Sequence, residues 1–275
     1  MSYDKIIYMN AIGTSIHNRT VHEYLQSIQE QSSNVEVRSL RSGPTHLGYR
    51  SYEAAVIPGL LCQARKAEAE GASGFIIGCF LDPGIEAARE ISNQMVITGA
   101  GHASITVAQG LDLGFSVLVL HDRTVKKAMR LVRNYGSEGQ MASVRHIGVS
   151  ATDAQSFETR SCVLDSLVEG AERAVRLDGA ECVILGCTFL QSFSDDLQAA
   201  LEVPVIEPIA SSLKVAEWLI SLRSTFRWRW RGLNSGAVPP PEELAEAFGW
   251  AGGAEKGVGF QESGNSGCEG GEHVR

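Results

Sequence analysis

Two Gly-Cys steps lie in matching sequence settings, and their thiols are the groups in this chain best placed to do chemistry. Cys79 follows the apolar run 75–77, Cys187 follows the apolar run 183–185, and the two are 108 positions apart. Each run is typical of a short buried strand, which puts each thiol just past a strand end. Helical patterns follow both, and a helix N-terminus favours thiolate, so we expect lowered thiol pKa values. Two thiols facing each other across a cleft could remove a proton from one face of a carbon and return one to the other face.

Strands and helices alternate along the chain, which predicts parallel sheets covered by helices on both faces. Asn18 is expected to cap the first helix, and Gly136 is expected to end the helix predicted at 124–135. The predicted strands are 5–9, 35–40, 75–77, 95–98, 115–120, 144–149, 183–185 and 203–206. The predicted helices are 18–30, 53–70, 83–89, 103–111, 124–135, 161–177, 194–200 and 210–222.

The chain also contains an internal duplication that extends beyond the thiol segments. Residues 6–10 are echoed by 117–121, and residues 95–98 by 204–207. We therefore predict an α/β fold of two similar subdomains with mainly parallel sheets, related by a pseudo-twofold axis. Ligands of open α/β sheets bind at the carboxyl ends of the strands, so the active site is expected in the cleft between the subdomains.

The duplication sets the expected domain boundaries. The first lobe is expected over 1–98 plus 209–225, with the closing helix packed back on it, and the second over 99–208. Val215, Trp218 and Leu219 are the expected core positions of that helix. The Gly-rich segment 232–275 is expected to be a disordered tail, in which 242–248 could form one or two helical turns.

Composition and charge exclude several classes of protein. The net charge of −8 argues against binding nucleic acid, and no apolar stretch is suited to a membrane span. The first apolar run is too short for a signal-peptide core, so we expect a cytoplasmic protein. The six cysteines show no CxxC spacing and are expected to be thiols, with Cys62, Cys162 and Cys182 as small core residues.

Two motifs resemble those of a known family. Gly-Cys-Phe-Leu-Asp-Pro-Gly at 78–84 and Leu-Gly-Cys-Thr at 185–188 are similar to the two active-site segments of the aspartate/glutamate/hydantoin racemase superfamily, especially its hydantoin/allantoin racemase branch. The resemblance covers about residues 5–222 and implies an enzyme without cofactor or metal that uses two opposed catalytic cysteines. The chain departs from the family at 10–15, where a Pro is lost, and at 99–102, where an acid is missing. These departures leave the two cysteines in place and bear instead on which substrate is bound.

Proton abstraction next to a carbonyl requires donors for the enolate oxygen as well as a base. Backbone N–H groups after the two cysteines are candidates, and Asn10 could offer an amide. The other expected substrate contacts are Thr14, Ser15, Phe80, Thr124 and Thr188.

Several of these residues could instead have purely structural roles. Asn10 and 14–15 could form only a turn and helix cap, and Thr124 could simply begin its helix. His102 could be a general acid or a hydrogen-bonded structural residue. Glu207 could contact substrate or hold the closing helix in place.

We therefore expect a racemase or epimerase of a small molecule, most plausibly a 5-substituted hydantoin or a related cyclic amide or amino acid, and a homo-oligomer. An arylmalonate-type decarboxylase and a maleate-type isomerase are the alternatives within the superfamily. Because each of these uses a single cysteine, a second thiol argues against both. A non-catalytic small-molecule-binding protein is the alternative from another class.

Overall fold

The computed structural model describes residues 3–228 and 239–248. Its first four strands form one parallel sheet in the order β2-β1-β3-β4. These strands are β1 Asp4–Asn10, β2 Ser33–Ser39, β3 Gly74–Gly78 and β4 Val96–Gly99. The middle of β1, residues 6–9, and the whole of β3 are apolar and buried, as expected for strands covered by helices on both faces.

A second parallel sheet repeats the same order, β6-β5-β7-β8. Its strands are β5 Phe115–Val119, β6 Met141–His146, β7 Cys182–Leu185 and β8 Val205–Ile206. Each sheet therefore has its first strand next to its third, with the second and fourth at the edges. The predicted α/β fold of two similar subdomains is confirmed. We call the part built on the first sheet the first lobe and the part built on the second sheet the second lobe.

Eight helices of the described chain accompany the two sheets. They are α1 Asn18–Ile28, α2 Arg50–Ala69, α3 Ile85–Ile91, α4 Ala100–Gly110, α5 Asp122–Asn134, α6 Arg160–Asp178, α7 Ser194–Ala200 and α8 Pro208–Phe226. None of the described helices is long and apolar enough to cross a membrane.

The closing helix α8 packs on the first lobe, as predicted. Its buried residues Ile209, Leu213 and Ala216 belong to one apolar cluster with Ile6 and Tyr8 of β1. The expectation for Trp218 is wrong, because its side chain is 53% exposed on the solvent-facing side of the helix.

Two other local expectations also fail. Asn18 does not cap α1: His17 precedes the helix, and the Asn18 side chain instead accepts hydrogen bonds from Asn10 (2.7 Å) and Ser39 (2.6 Å). Cys162 is exposed rather than buried, whereas Cys182 is a core residue of the second lobe.

The expectation for Gly136 is confirmed. Gly136 follows α5 with φ of +71°, the left-handed conformation expected just past a helix end.

The C-terminal part forms a separate compact unit that begins at Pro239. Within it, α9 Pro241–Phe248 is an eight-residue helix of two turns, at the position where one or two turns were expected. The remainder of the predicted tail, residues 232–238 and 249–275, lies outside the described residues.

Candidate active site

The two thiols occupy equivalent places in the two lobes. Cys79 comes directly after β3, and Cys187 comes two residues after β7. These strands occupy equivalent positions, β3 next to β1 in the first sheet and β7 next to β5 in the second. Both cysteines line one open cavity between the lobes, which encloses about 1000 Å³ including its mouth.

The glycine before each cysteine allows a close approach of strands. A Cβ atom at Gly78 would lie 2.6 Å from the ring of Tyr8 and 2.9 Å from the Met9 carbonyl oxygen. A Cβ atom at Gly186 would lie 2.7 Å from both the Leu118 carbonyl oxygen and Val119. The repeated Gly-Cys step is therefore explained by packing: only glycine lets each thiol segment lie against its central strand.

Burial dominates the electrostatics of both thiols. It raises the pKa of Cys187 to about 11 and that of Cys79 still further, with the charges of Cys187 and Asp82 adding to the shift at Cys79. Hydrogen bonding by the backbone N–H of Leu81 to Cys79, and of Phe189 to Cys187, offsets only part of this effect. The expectation of lowered thiol pKa values is wrong, because desolvation outweighs the favourable backbone groups.

Phe80 anchors the first thiol to the opposite lobe. It follows Cys79 on a first-lobe loop, yet its side chain is 2% exposed and belongs to the core cluster of the second lobe, with Phe115 and Ala128. Phe80 is also among the residues that line the cavity. Its burial therefore fixes Cys79 at the junction of the two lobes.

The structure brings together most, but not all, of the sequence-predicted site residues. The cavity is lined by Asn10, Cys79, Phe80, Thr124, Cys187 and Thr188. Asn10 is 6% exposed, and its amide is held by the hydrogen bond to Asn18.

Thr14 and Ser15 are not among the described lining residues. The Thr14 hydroxyl accepts a hydrogen bond from the Ile16 N–H (3.4 Å), and the Ser15 carbonyl oxygen accepts one from the Asn18 N–H (2.9 Å). They form the turn before α1, which was the alternative interpretation of these residues.

His102 and Glu207 also have structural roles. His102 pairs with the Thr98 hydroxyl (3.0 Å), and burial lowers its pKa to about 4. The Glu207 carboxyl accepts hydrogen bonds from the Ile209 and Ala210 N–H groups at the start of α8. Burial raises its pKa to about 7. Glu207 thus holds the closing helix, and neither residue is among the described lining residues.

One wall of the cavity comes from a loop that the sequence analysis did not identify. His46, Leu47, Gly48 and Tyr49 follow β2 and line the cavity. Lys127 of α5 crosses from the second lobe, where its ammonium group donates to the Gly48 carbonyl oxygen (3.1 Å) and pairs with the Glu53 carboxylate. A buried lysine therefore fixes this first-lobe loop against the second lobe.

Two further lining residues, His121 and Arg123, lie at the end of β5 and the start of α5. His121 is the counterpart of Asn10 in the internal repeat, so the repeat could have identified it. The Arg123 guanidinium lies 4.6 Å from the ring centroid of Tyr49 and donates to its hydroxyl (3.2 Å). Arg123 is the only described lining residue with a permanent charge, and Tyr49 holds its guanidinium in place.

The arrangement can bind a small, mainly neutral molecule between two thiols that approach it from opposite lobes. Asn10, Thr124 and Thr188 provide polar groups at the cavity surface, while Ile12, Leu47 and Leu120 provide apolar surface.

Known proteins resemble this chain in both sequence and fold. The profile of the Asp/Glu/Hydantoin racemase family matches residues 6–216. A hydantoin racemase from Rhizobium meliloti is 34% identical over 193 residues, which are 70% of this chain and 79% of that protein. A hydantoin racemase from Pseudomonas sp. (strain NS671) is 29% identical over 218 residues, 79% of this chain and 86% of that protein.

The fold is also that of a solved structure. An allantoin racemase from Pseudomonas fluorescens superposes with a TM-score of 0.77 at 21% sequence identity, covering 86% of this chain and 97% of that one. Because the family profile spans most of the chain and the Rhizobium meliloti relative matches over most of its length, this chain belongs to the Asp/Glu/hydantoin racemase family and is an isomerase of the racemase type.

Proposed function

We propose that this protein is a cofactor-independent racemase that uses Cys79 and Cys187 as its two proton-transfer groups, and that its substrate is a 5-substituted hydantoin or a related cyclic amide. The single observation that carries the proposal is the cavity itself. It is lined by two thiols at equivalent strand ends, one from each lobe. Relatives at 29–34% identity are hydantoin racemases, which supports the substrate class.

The charge of the cavity favours a neutral ring over a free amino acid. An amino-acid carboxylate taken out of water needs a cation or several donors directed at it. Arg123, the permanent cation of the described lining, already stacks on Tyr49 and donates to its hydroxyl. A cyclic amide carries no net charge, and single amide and hydroxyl groups such as those of Asn10 and Thr188 suit its carbonyl and N–H groups.

In the proposed reaction, the thiolate on one face removes the proton from the ring carbon next to the carbonyl. The C–H bond breaks, a bond forms between that proton and sulfur, and the electron pair moves into the enolate. The thiol on the other face then donates its proton to the same carbon, which inverts the stereocentre and leaves that sulfur as the thiolate. The two cysteines exchange protonation states in each turnover, so the reverse reaction begins from the other side.

Different polar groups stabilise the thiolate and the enolate. The Leu81 and Phe189 N–H groups donate to the sulfurs, whereas the Thr124 and Thr188 hydroxyls on the cavity surface are the donors for the enolate oxygen. Because both proton-transfer groups belong to the chain, the reaction requires no cofactor or metal. A homo-oligomeric state and a cytoplasmic location stay predictions from the sequence.

The proposal is tested by incubating the protein with one enantiomer of a 5-substituted hydantoin in deuterium oxide. Loss of optical rotation with deuterium incorporation at the ring carbon is the expected result. Carbon dioxide release from an arylmalonate would instead identify a decarboxylase. Binding of the hydantoin without exchange would identify a receptor, and either result would contradict the proposal. Free amino acids tested in parallel are expected to react more slowly than hydantoins.

A further inference from the structure

Asp82, three residues after the first thiol, is a buried carboxyl group with an unusual set of partners. It is 4% exposed, and one oxygen accepts a hydrogen bond from the Gly101 N–H (3.0 Å). The other oxygen accepts from the His102 N–H (2.6 Å) and from the Tyr135 hydroxyl (2.7 Å). The carboxyl group therefore caps the start of α4 and is also bonded to the end of α5 in the second lobe.

The backbone of Asp82 is bonded to the first thiol residue. Its N–H donates to the Cys79 carbonyl oxygen (3.0 Å), which closes a tight turn around Phe80 and Leu81. Asp82 adopts φ of +46°, a left-handed conformation that is costly for a residue other than glycine. The side-chain hydrogen bonds hold this conformation, so a displaced carboxyl group would allow the Cys79 turn to relax.

The second half of the molecule has a similar arrangement with one decisive difference. There Glu207 caps the start of α8 and accepts a hydrogen bond from the Tyr24 hydroxyl (3.3 Å). Tyr24 lies on α1, the first-lobe counterpart of α5, so a tyrosine, a buried carboxyl group and a helix start recur in both halves. Glu207, however, is the residue directly before α8 and is not part of the Cys187 segment.

In the first half the residue directly before α4 is Gly99, and it has no carboxyl group. A Cβ atom at Gly99 would lie 2.1 Å from an oxygen of Asp82. The carboxyl group of Asp82 thus fills the space next to Gly99, where any side chain would collide with it. In the first half the capping carboxyl group therefore comes from the loop that carries Cys79 and not from the strand end.

We propose that Asp82 is a positioning residue that fixes Cys79 at the junction of the two lobes, because its carboxyl group ties the Cys79 turn to the start of α4 and to the end of α5. The catalytic consequence rests on the proposed racemase function, whereas the structural consequence does not. Asp82→Asn leaves only one acceptor oxygen for three donors, so at least one hydrogen bond is lost. The exposure of Cys79 should rise, while that of Cys187 should stay unchanged.

The structural test is the rate of iodoacetamide labelling of each thiol, read by peptide mass spectrometry. In Asp82→Asn the labelling rate of Cys79 relative to Cys187 is expected to rise by up to about tenfold, the factor that corresponds to loss of one hydrogen bond. Tyr135→Phe removes one hydrogen bond without a new polar group and should give a smaller rise in the same direction. Tyr24→Phe is the matched control in the other half and should leave the labelling rate of Cys79 unchanged.

The catalytic test places Asp82→Asn in each single-thiol background and measures hydrogen exchange at the ring carbon. Exchange by Cys79, in Cys187→Ala, is expected to fall. Exchange by Cys187, in Cys79→Ala, is expected to persist. A purely structural role would lower both rates alike.

The remaining outcomes test the positioning role of Asp82 and the proposed function separately. An unchanged labelling ratio in both Asp82→Asn and Tyr135→Phe, or an equal rise at both thiols, would overturn the positioning role. If Asp82→Asn does not fold, the Tyr135→Phe ratio decides alone. If neither single-thiol background exchanges the ring proton, the proposed function is wrong, while the labelling ratio still decides whether Asp82 holds Cys79.

Discussion

Phe80 provides the sharpest test of how the first thiol is fixed between the lobes. Its side chain is 2% exposed and packs in the second-lobe core cluster that includes Ile105 and Phe115, although its backbone belongs to a first-lobe loop. Truncation of a buried phenylalanine removes its apolar contacts and leaves a cavity, which typically costs about 3–5 kcal/mol. We therefore expect Phe80→Ala to lower the free energy of unfolding by about that amount.

The assay is equilibrium unfolding in urea, followed by circular dichroism. With a denaturant slope of about 3 kcal/mol per molar urea, the midpoint of Phe80→Ala should fall by about 1–1.7 M. Phe157→Ala is the matched control, because that side chain is 91% exposed. Its effect should stay within about 0.5 kcal/mol.

A midpoint for Phe80→Ala that equals the midpoint of the Phe157 control would refute the reasoning. It would mean that the ring of Phe80 is not a core residue of the second lobe and does not anchor the Cys79 loop.

Three further predictions follow from the site. Because burial raises the pKa of Cys187 to about 11 and that of Cys79 further, the thiolate fraction of the free enzyme should rise about tenfold per pH unit. Consequently, kcat/KM should climb steadily from about pH 7 to pH 9, and a plateau below about pH 8 would contradict this. Gly99→Ala should lower Tm, because its Cβ would lie 2.1 Å from Asp82, whereas Gly110→Ala in the same helix meets nothing within 4 Å and should not. Lys127→Met should raise KM about tenfold, because the loop at Gly48 loses its hydrogen bond to the ammonium group. Lys126 is an exposed neighbour, so Lys126→Met should leave KM unchanged, and equal KM values for the two variants would contradict the role of Lys127.

The sequence was sufficient for the features that depend on local pattern. Buried strands are short apolar runs in the sequence, so the strands that precede the two thiols could be placed from the sequence pattern alone. The internal repeat then implied two lobes with a shared cleft, because the same strand order must recur. The repeat also pairs Asn10 with His121, a relation that would have added one more cavity residue.

Features that depend on distant contacts could not be predicted. No local signal shows that Lys127 reaches the carbonyl oxygen of Gly48 in the other lobe. No local signal shows that the space next to Gly99 is filled by the carboxyl group of Asp82, which lies 17 positions earlier in the chain.

The pKa values of the thiols could not be predicted from the sequence either. A helix N-terminus suggested lowered pKa values, but the depth of burial decides the sign, and burial depends on how the lobes enclose the cleft. In the same way, Trp218 fits a helical apolar pattern but lies on the solvent-facing side of α8.

The central claim is that Cys79 and Cys187 act on opposite faces of one carbon. The most direct measurement is deuterium exchange at the stereocentre of each enantiomer of a 5-substituted hydantoin, catalysed by Cys79→Ala and by Cys187→Ala. Each variant is predicted to lose racemisation but to exchange the proton of one enantiomer with retention, and the two variants should act on opposite enantiomers. Full racemisation by either variant, or exchange of the same enantiomer by both, would contradict the account.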